Sequence, residues 1–234
     1  MNTDLFVDPT TLSSTNLPMQ DTHMHTKYTD GRDSVAEMHA TAVDAHLDVI
    51  VFSEHVRRSS VDWFHDFAAE VRAMPSDRCR ALVGVEARIE SFDGSLDLAD
   101  EIASACDAVV ASVHRFPDKG GNRVDFKDVE PETALKWEYE LSMAALENPS
   151  TMILGHPFGM SLQRYRVVPP DDMVRDVIAQ AGRHGKAFEL SGVYHPNLWH
   201  YVTMCCEAGT RVVLGSDAHS TGEVGLIQRR LKKS

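Results

Sequence analysis

Residues 19–55 read MQDTHMHTKYTDGRDSVAEMHATAVDAHLDVIVFSEH, and this stretch sets the fold class. It holds a short run from Met19 to His25, a helical stretch from Ser34 to Ala45 and an apolar run from Val49 to His55. Ser34 with Glu37 matches a capping box, which places the helix start. The unbroken VIVF of the second run suits a strand covered on both faces, not a half-wet antiparallel one. The unit is therefore strand, helix, parallel strand.

Working outward, the same alternation recurs. Further strands are expected at Leu82–Ile89, Ala108–His114, Met152–Pro157, Ala187–Ser191 and Val212–His219. Helices are expected at Ser60–Ala73, Leu96–Ala105, Pro131–Leu146, Asp171–His184 and Pro196–Ala208, with Gly185 and Gly209 at C-cap positions. No linker, repeat or low-complexity block divides the 234 residues. The expectation is a single α/β domain at 19–220, with an N-terminal extension at 1–18 and a solvated basic tail at 221–234. FPDKGGNRVDFKDV, residues 116–129, is a candidate active-site loop, because it is turn-rich and follows a histidine-bearing strand.

Composition removes several function classes. Lys plus Arg is 23 against 35 for Asp plus Glu, a net charge of -12, whereas a nucleic-acid binder carries a basic excess or stripe. No run approaches the ~18 apolar residues of a membrane span. The first 18 residues have neither the basic nor the apolar region of a secretion signal, so a cytoplasmic protein is expected. Cys79, Cys106, Cys205 and Cys206 form no CxxC pair and read as free thiols.

The decisive pattern is positional. Each expected strand ends in a residue able to hold a metal or a substrate: His23 and His25, His55, Glu86, His114, His156, Glu189, and Asp217 with His219. In a parallel barrel these ends converge on one face, where active sites are built. The i, i+2 spacing of His23/His25 and Asp217/His219 puts each pair on one face of an extended strand. Nitrogen and oxygen donors without thiolate suit Zn²⁺, Mn²⁺ or Fe ions. Of the remaining histidines, His39, His46, His65 and His184 read as helix-surface residues, and His195 and His200 fit neither group.

Asp21-Thr-His23-Met-His25, Asp30-Gly31, Ser53-Glu54-His55, Gly84-Val85-Glu86, Ser112-Val113-His114, Gly155-His156-Pro157 and Gly215-Ser216-Asp217-Ala218-His219 occur in that order. The set resembles the PHP (polymerase and histidinol phosphatase) domain family. The resemblance implies a distorted seven-stranded (β/α) barrel with a trinuclear site. It implies one ion on His23, His25, Glu86 and Asp217, a second on Glu86, His114 and His156, and a third on Asp30, His55 and His219. Glu54-His55-Val56 stands where many relatives carry Asp-His-Asn, a change beside a ligand and not in it.

That site implies a phosphoesterase with two to three ions, in which a hydroxide bridging the ions attacks a small phosphorylated substrate and Asp217 orients it. Arg115, Arg164 and Arg88 are the candidate phosphate-binding cations, since guanidinium pairs phosphate through two prongs. Glu189 and Tyr194 are candidates for substrate recognition. Two alternatives from other classes are a proofreading or accessory module acting on nucleic acid, and a C–N or C–O hydrolase using the same ions.

Overall fold

The computed structural model describes residues 3–118 and 122–233. Seven strands form one parallel sheet in strict sequence order. They are β1 (Gln20–Met24), β2 (Val49–Val56), β3 (Arg80–Arg88), β4 (Ala108–Ser112), β5 (Ile153–Leu154), β6 (Ala187–Ser191) and β7 (Val212–Gly215). Every residue of β1, β4, β6 and β7 is buried; β4 and β7 are apolar as a sheet covered on both sides requires, while β1 and β6 bury polar residues, among them Asp21, His23 and Glu189.

The sheet curls until its edges meet. At the carboxyl ends of the strands, His25 N–H donates to the Ala218 carbonyl at 2.8 Å and Ala218 N–H to the His23 carbonyl at 3.1 Å. The Thr22 hydroxyl adds a bond to the Leu214 carbonyl at 3.1 Å. The expected barrel is therefore nearly closed.

The connecting helices are α1 (Val35–Asp44), α2 (Val61–Arg72), α3 (Asp100–Ala105), α4 (Pro131–Glu147), α5 (Asp171–Arg183) and α6 (Leu198–Ala208), with α7 (Leu226–Lys233) after the last strand. The capping box of α1 is present: Ser34 N–H donates to the Glu37 carboxylate at 2.8 Å, and Glu37 N–H to Ser34 Oγ at 3.3 Å. Gly185 and Gly209 follow α5 and α6 at φ +64°, the left-handed cap conformation. Among the described residues no helix is long and apolar enough to cross a membrane.

Four expectations need correction. Residues 96–99 do not begin α3, because Leu96 bridges Ile89 and Asp97 N–H bonds the Arg88 carbonyl, extending the β3 end into a small ladder. The basic run at 229–233 is not a solvated tail: it lies on α7, whose Ile227, Gln228 and Leu231 are buried. His39 is not on the helix surface; it is buried and its Nε2–H donates to the Cys79 carbonyl at 2.9 Å. The N-terminal residues are also built in, since Val7 pairs with Val212, the first residue of β7, through two backbone bonds.

Candidate metal centre

Three strands stop short of the chemistry they carry. β4 ends two residues before His114, β5 two before His156, and β7 two before Asp217. His114, His156 and Asp217 therefore stand on loops leaving the carboxyl ends, as do His25, Asp30 and His219, whereas His23, His55 and Glu86 lie within the ends of β1, β2 and β3. Asp217 and His156 have positive φ, 50° and 28°, which L-residues adopt only under constraint. The i, i+2 argument for Asp217 and His219 thus does not hold: no extended strand runs between them, and the loop brings them together instead.

All nine sequence-expected donors converge. Their atoms fall into four overlapping groups, each within 4.8 Å: His23, His25 and Asp217; His23, Glu86 and His156; His55, Glu86 and His114; and His25, Asp30, His55 and His219. Glu86 stands at the junction. One of its oxygens lies 2.8 Å from His156 Nε2 and 3.0 Å from His114 Nε2, and the other 2.9 Å from His55 Nδ1. Asp30 is 3.4 Å from His55 and 3.5 Å from His219.

The electrostatics follow from this crowding. Burial alone would raise the Glu86 carboxyl, but His114 and His23 hold it well below its usual range. Burial opposes charge on His55, yet Asp30 and Glu86 push its pKa up to about 10. His25 goes the other way, to about 4, chiefly through burial. His23 Nε2, both ring nitrogens of His25 and Glu86 Oε2 are buried and form no well-aligned hydrogen bond among the described residues, although three of the four have an oppositely charged group close by. Buried donors and acceptors left without such a bond are costly, and four in one place are what a set awaiting cations presents. The donors fit divalent ions in type and in arrangement.

The surrounding shell is built to aim these atoms. Glu189 is buried and accepts from His23 Nδ1 at 2.9 Å and from the His156 backbone N–H. It therefore fixes the His23 tautomer with Nε2 facing the cluster, and it is not free for substrate recognition as the sequence suggested. Gly215 makes room for it, since a Cβ there would lie 1.8 Å from Glu189 Oε1. Glu54 accepts from Thr26 N–H at 2.8 Å, from the Thr26 hydroxyl at 2.6 Å and from Thr29. Glu54 so clamps the loop that delivers Asp30, a role its place beside a ligand did not disclose.

The cluster opens into a cleft of about 450 Å³. Tyr194 lines it, its ring centroid 4.6 Å from that of His156. Arg88 and Arg115 line it too, with Arg57 and Arg123, which the sequence reading passed over because exposed loop arginines carry no periodic signal. Arg164 stands away from the lining; its guanidinium and that of Arg115 both stack on the Phe126 ring, at 4.0 and 4.3 Å. The 116–129 loop thus supplies Arg123 to the cleft, while its residues 119–121 lie outside the described residues.

A family model described as the PHP domain matches residues 21–192. The chain belongs to the PHP domain family. A probable phosphatase of Acetivibrio thermocellus is 27% identical to this PHP chain, over 91% of it and 84% of the relative. Two solved structures share the PHP barrel. A histidinol phosphatase candidate from Listeria monocytogenes has a TM-score of 0.72 at 19% identity, over 88% of this chain and 97% of that one. Histidinol phosphate phosphatase from Lactococcus lactis, complexed with zinc, L-histidinol and phosphate, has a TM-score of 0.65 at 17% identity, over 93% and 94%.

Proposed function

We propose that this PHP protein is a metal-dependent phosphoesterase that hydrolyses a small phosphorylated metabolite. The observation that carries the reading is the convergence of nine N and O donors, several of them buried without a well-aligned hydrogen bond, at the floor of one arginine-lined cleft. The phosphatase names of the relatives and the zinc and phosphate of the Lactococcus protein support it. His23, His25, Glu86 and Asp217 would hold one ion, Glu86, His114 and His156 a second, and Asp30, His55 and His219 a third. Divalent ions there, of zinc, manganese or iron, supply Lewis acidity and acidify water toward neutral pH.

The chain's own residues do the rest. Glu189 and Glu54 fix the orientation of ligands before substrate arrives, which lowers the reorganisation needed during reaction. Asp217, with one oxygen 3.2 Å from His25 Nε2, faces the cleft beside the cluster and orients the attacking oxygen. Arg115 and Arg88 bind the anionic substrate from the cleft wall, and Arg164 steadies Arg115 through their shared contact with Phe126. Free thiols at Cys79, Cys106, Cys205 and Cys206 agree with a cytoplasmic setting.

The test is a screen of metal-loaded protein against phosphomonoesters, carboxylic esters, amides and single-stranded DNA. Phosphate release from monoesters, abolished by chelation, is the expected result. Turnover confined to esters or amides would transfer the site to C–O or C–N hydrolysis, and turnover confined to DNA would make it a nuclease.

A further inference from the structure

The donor cluster leaves much of the cleft's positive charge unexplained. Arg57, Arg88, Arg115 and Arg123 line one cleft of a chain whose net charge is -12. Among the described residues, only Arg88 of these four has a carboxylate partner, Asp97 at 2.8 Å. Like charges gathered so closely destabilise the folded chain unless an anion joins them.

Their arrangement locates that anion. Beside the main cleft lies a recess of about 50 Å³, lined by Arg88, Arg115, Arg123, Phe116 and Glu90 among others. None of the nine donors lines it. Its carboxylate, Glu90, is already engaged by Arg58 at 2.6 Å. At about 10–15 Å³ of such space per held water, the recess takes a group of a few heavy atoms, the size of one tetrahedral oxyanion. Stacking on Phe126 restrains the Arg115 guanidinium, so less rotamer freedom is lost when it binds. Three divalent ions set against the three carboxylates of Glu86, Asp30 and Asp217 would leave a net charge of about +3, enough to meet the scissile phosphoryl without a share of these arginines.

We propose that this recess is a second anion site, and that the substrate is a phosphomonoester bearing another phosphate that is not hydrolysed. The word substrate rests on the phosphoesterase reading; the anion site does not. The probes are straight-chain alkanediol bisphosphates, with alkyl phosphates and ω-carboxyalkyl phosphates of matched length.

Calorimetric titration of metal-loaded protein with the non-hydrolysable phosphonate counterparts of these probes tests binding apart from turnover. The bisphosphate should bind about tenfold tighter than the alkyl phosphate, the effect of one charge-assisted contact pair. Arg123→Ala should collapse that ratio toward unity, and Arg88→Lys should keep part of it because an ammonium retains the charge but not the fork. Arg123 is exposed, so its loss does not threaten the fold. In turnover of the phosphates themselves the same preference should appear in KM. Equal affinity for bisphosphate and alkyl phosphate, or a full preference in both variants, overturns the site. Equal affinity for the carboxyalkyl phosphate overturns its assignment to phosphate. Binding through Arg123 without hydrolysis of any monoester would sink the phosphoesterase reading and leave the anion site standing.

Discussion

The Glu86 carboxylate lies within 3.6 Å of five imidazoles, those of His23, His25, His55, His114 and His156. No other donor reaches so many, which makes it the residue whose neutralisation the cluster tolerates least. Glu86→Gln keeps the shape but replaces an acceptor oxygen with a donor and removes a charge that two ions would share. Elemental analysis after reconstitution should show a larger loss of metal from this variant than from replacement of any single histidine. Wild-type metal content in Glu86→Gln would refute the bridging assignment. Arg115 is a different kind of residue, touching the cleft but none of the donors. A charge-assisted contact contributes about 1.5–3 kcal/mol, so Arg115→Ala should lower kcat/KM roughly 10–150-fold with metal content unchanged. Arg183→Ala, on α5, serves as the control: its guanidinium bonds the Gln180 side chain on the same helix. Equal losses in the two variants would remove Arg115 from substrate binding.

At the scale of elements, what the sequence discloses depends on whether the signal is local. Six helices and seven strands follow from apolar runs, a capping box and glycine caps, all set by neighbours within one turn. Eight of the nine candidate ligands were legible from their place at or near the end of an expected strand; Asp30, in the polar loop after β1, was implied only by the motif resemblance. The ends of strands were not legible: β5 keeps only Ile153 and Leu154, since the chain turns away at Gly155, whose Cβ would strike Ser112 Oγ at 2.2 Å. Long-range partners were hidden too, as with His39 on the Cys79 carbonyl and Glu189 beneath His23. Glu138 of α4 is another such case. It is buried and accepts from Met160 N–H at 3.0 Å, and from Ser161 N–H and hydroxyl at 2.7 and 2.6 Å, pinning the turn that follows His156. Burial raises its pKa from 4.5 to about 7 against those donors. The folded chain therefore keeps a proton that the unfolded chain releases. This stabilisation is complete below pH 4.5 and is lost as pH rises to about 7. The full shift is worth about 3 kcal/mol. Glu138→Gln cannot titrate, so urea unfolding of metal-free protein should show the wild type's advantage shrinking by up to that amount across the window. Parallel pH profiles would show that Glu138 stays ionised throughout.

For the whole molecule, the barrel gathers three carboxylates and six imidazoles at one mouth, and their mutual cost is charged against the stability of the fold. Where the chain closes on itself, the same loops carry the donors: His23 and His25 bond to Ala218, between Asp217 and His219. Asp21, just before them, accepts from Ser216 N–H at 2.8 Å and from Gly225 N–H at 2.9 Å, tying β1 to the chain beyond β7. Ions bound at the mouth would thus brace the seam as well as supply chemistry. A ligand that binds only the folded state stabilises it by about 2.7 kcal/mol at a hundredfold excess over Kd. In a chain of this size each kcal/mol moves Tm by about 2–4 °C. Chelation should therefore lower Tm by roughly 5–10 °C while abolishing phosphate release, and readdition of metal should restore both together. The chelator-dependent loss of Tm should be larger in His219→Ala, which removes a donor to a single proposed ion, than in Glu86→Gln, which weakens two and so has less bound metal to lose. Scanning calorimetry with and without chelator measures it, and an unchanged Tm on complete metal removal would mean that the seam is held by Asp21 and the backbone bonds alone.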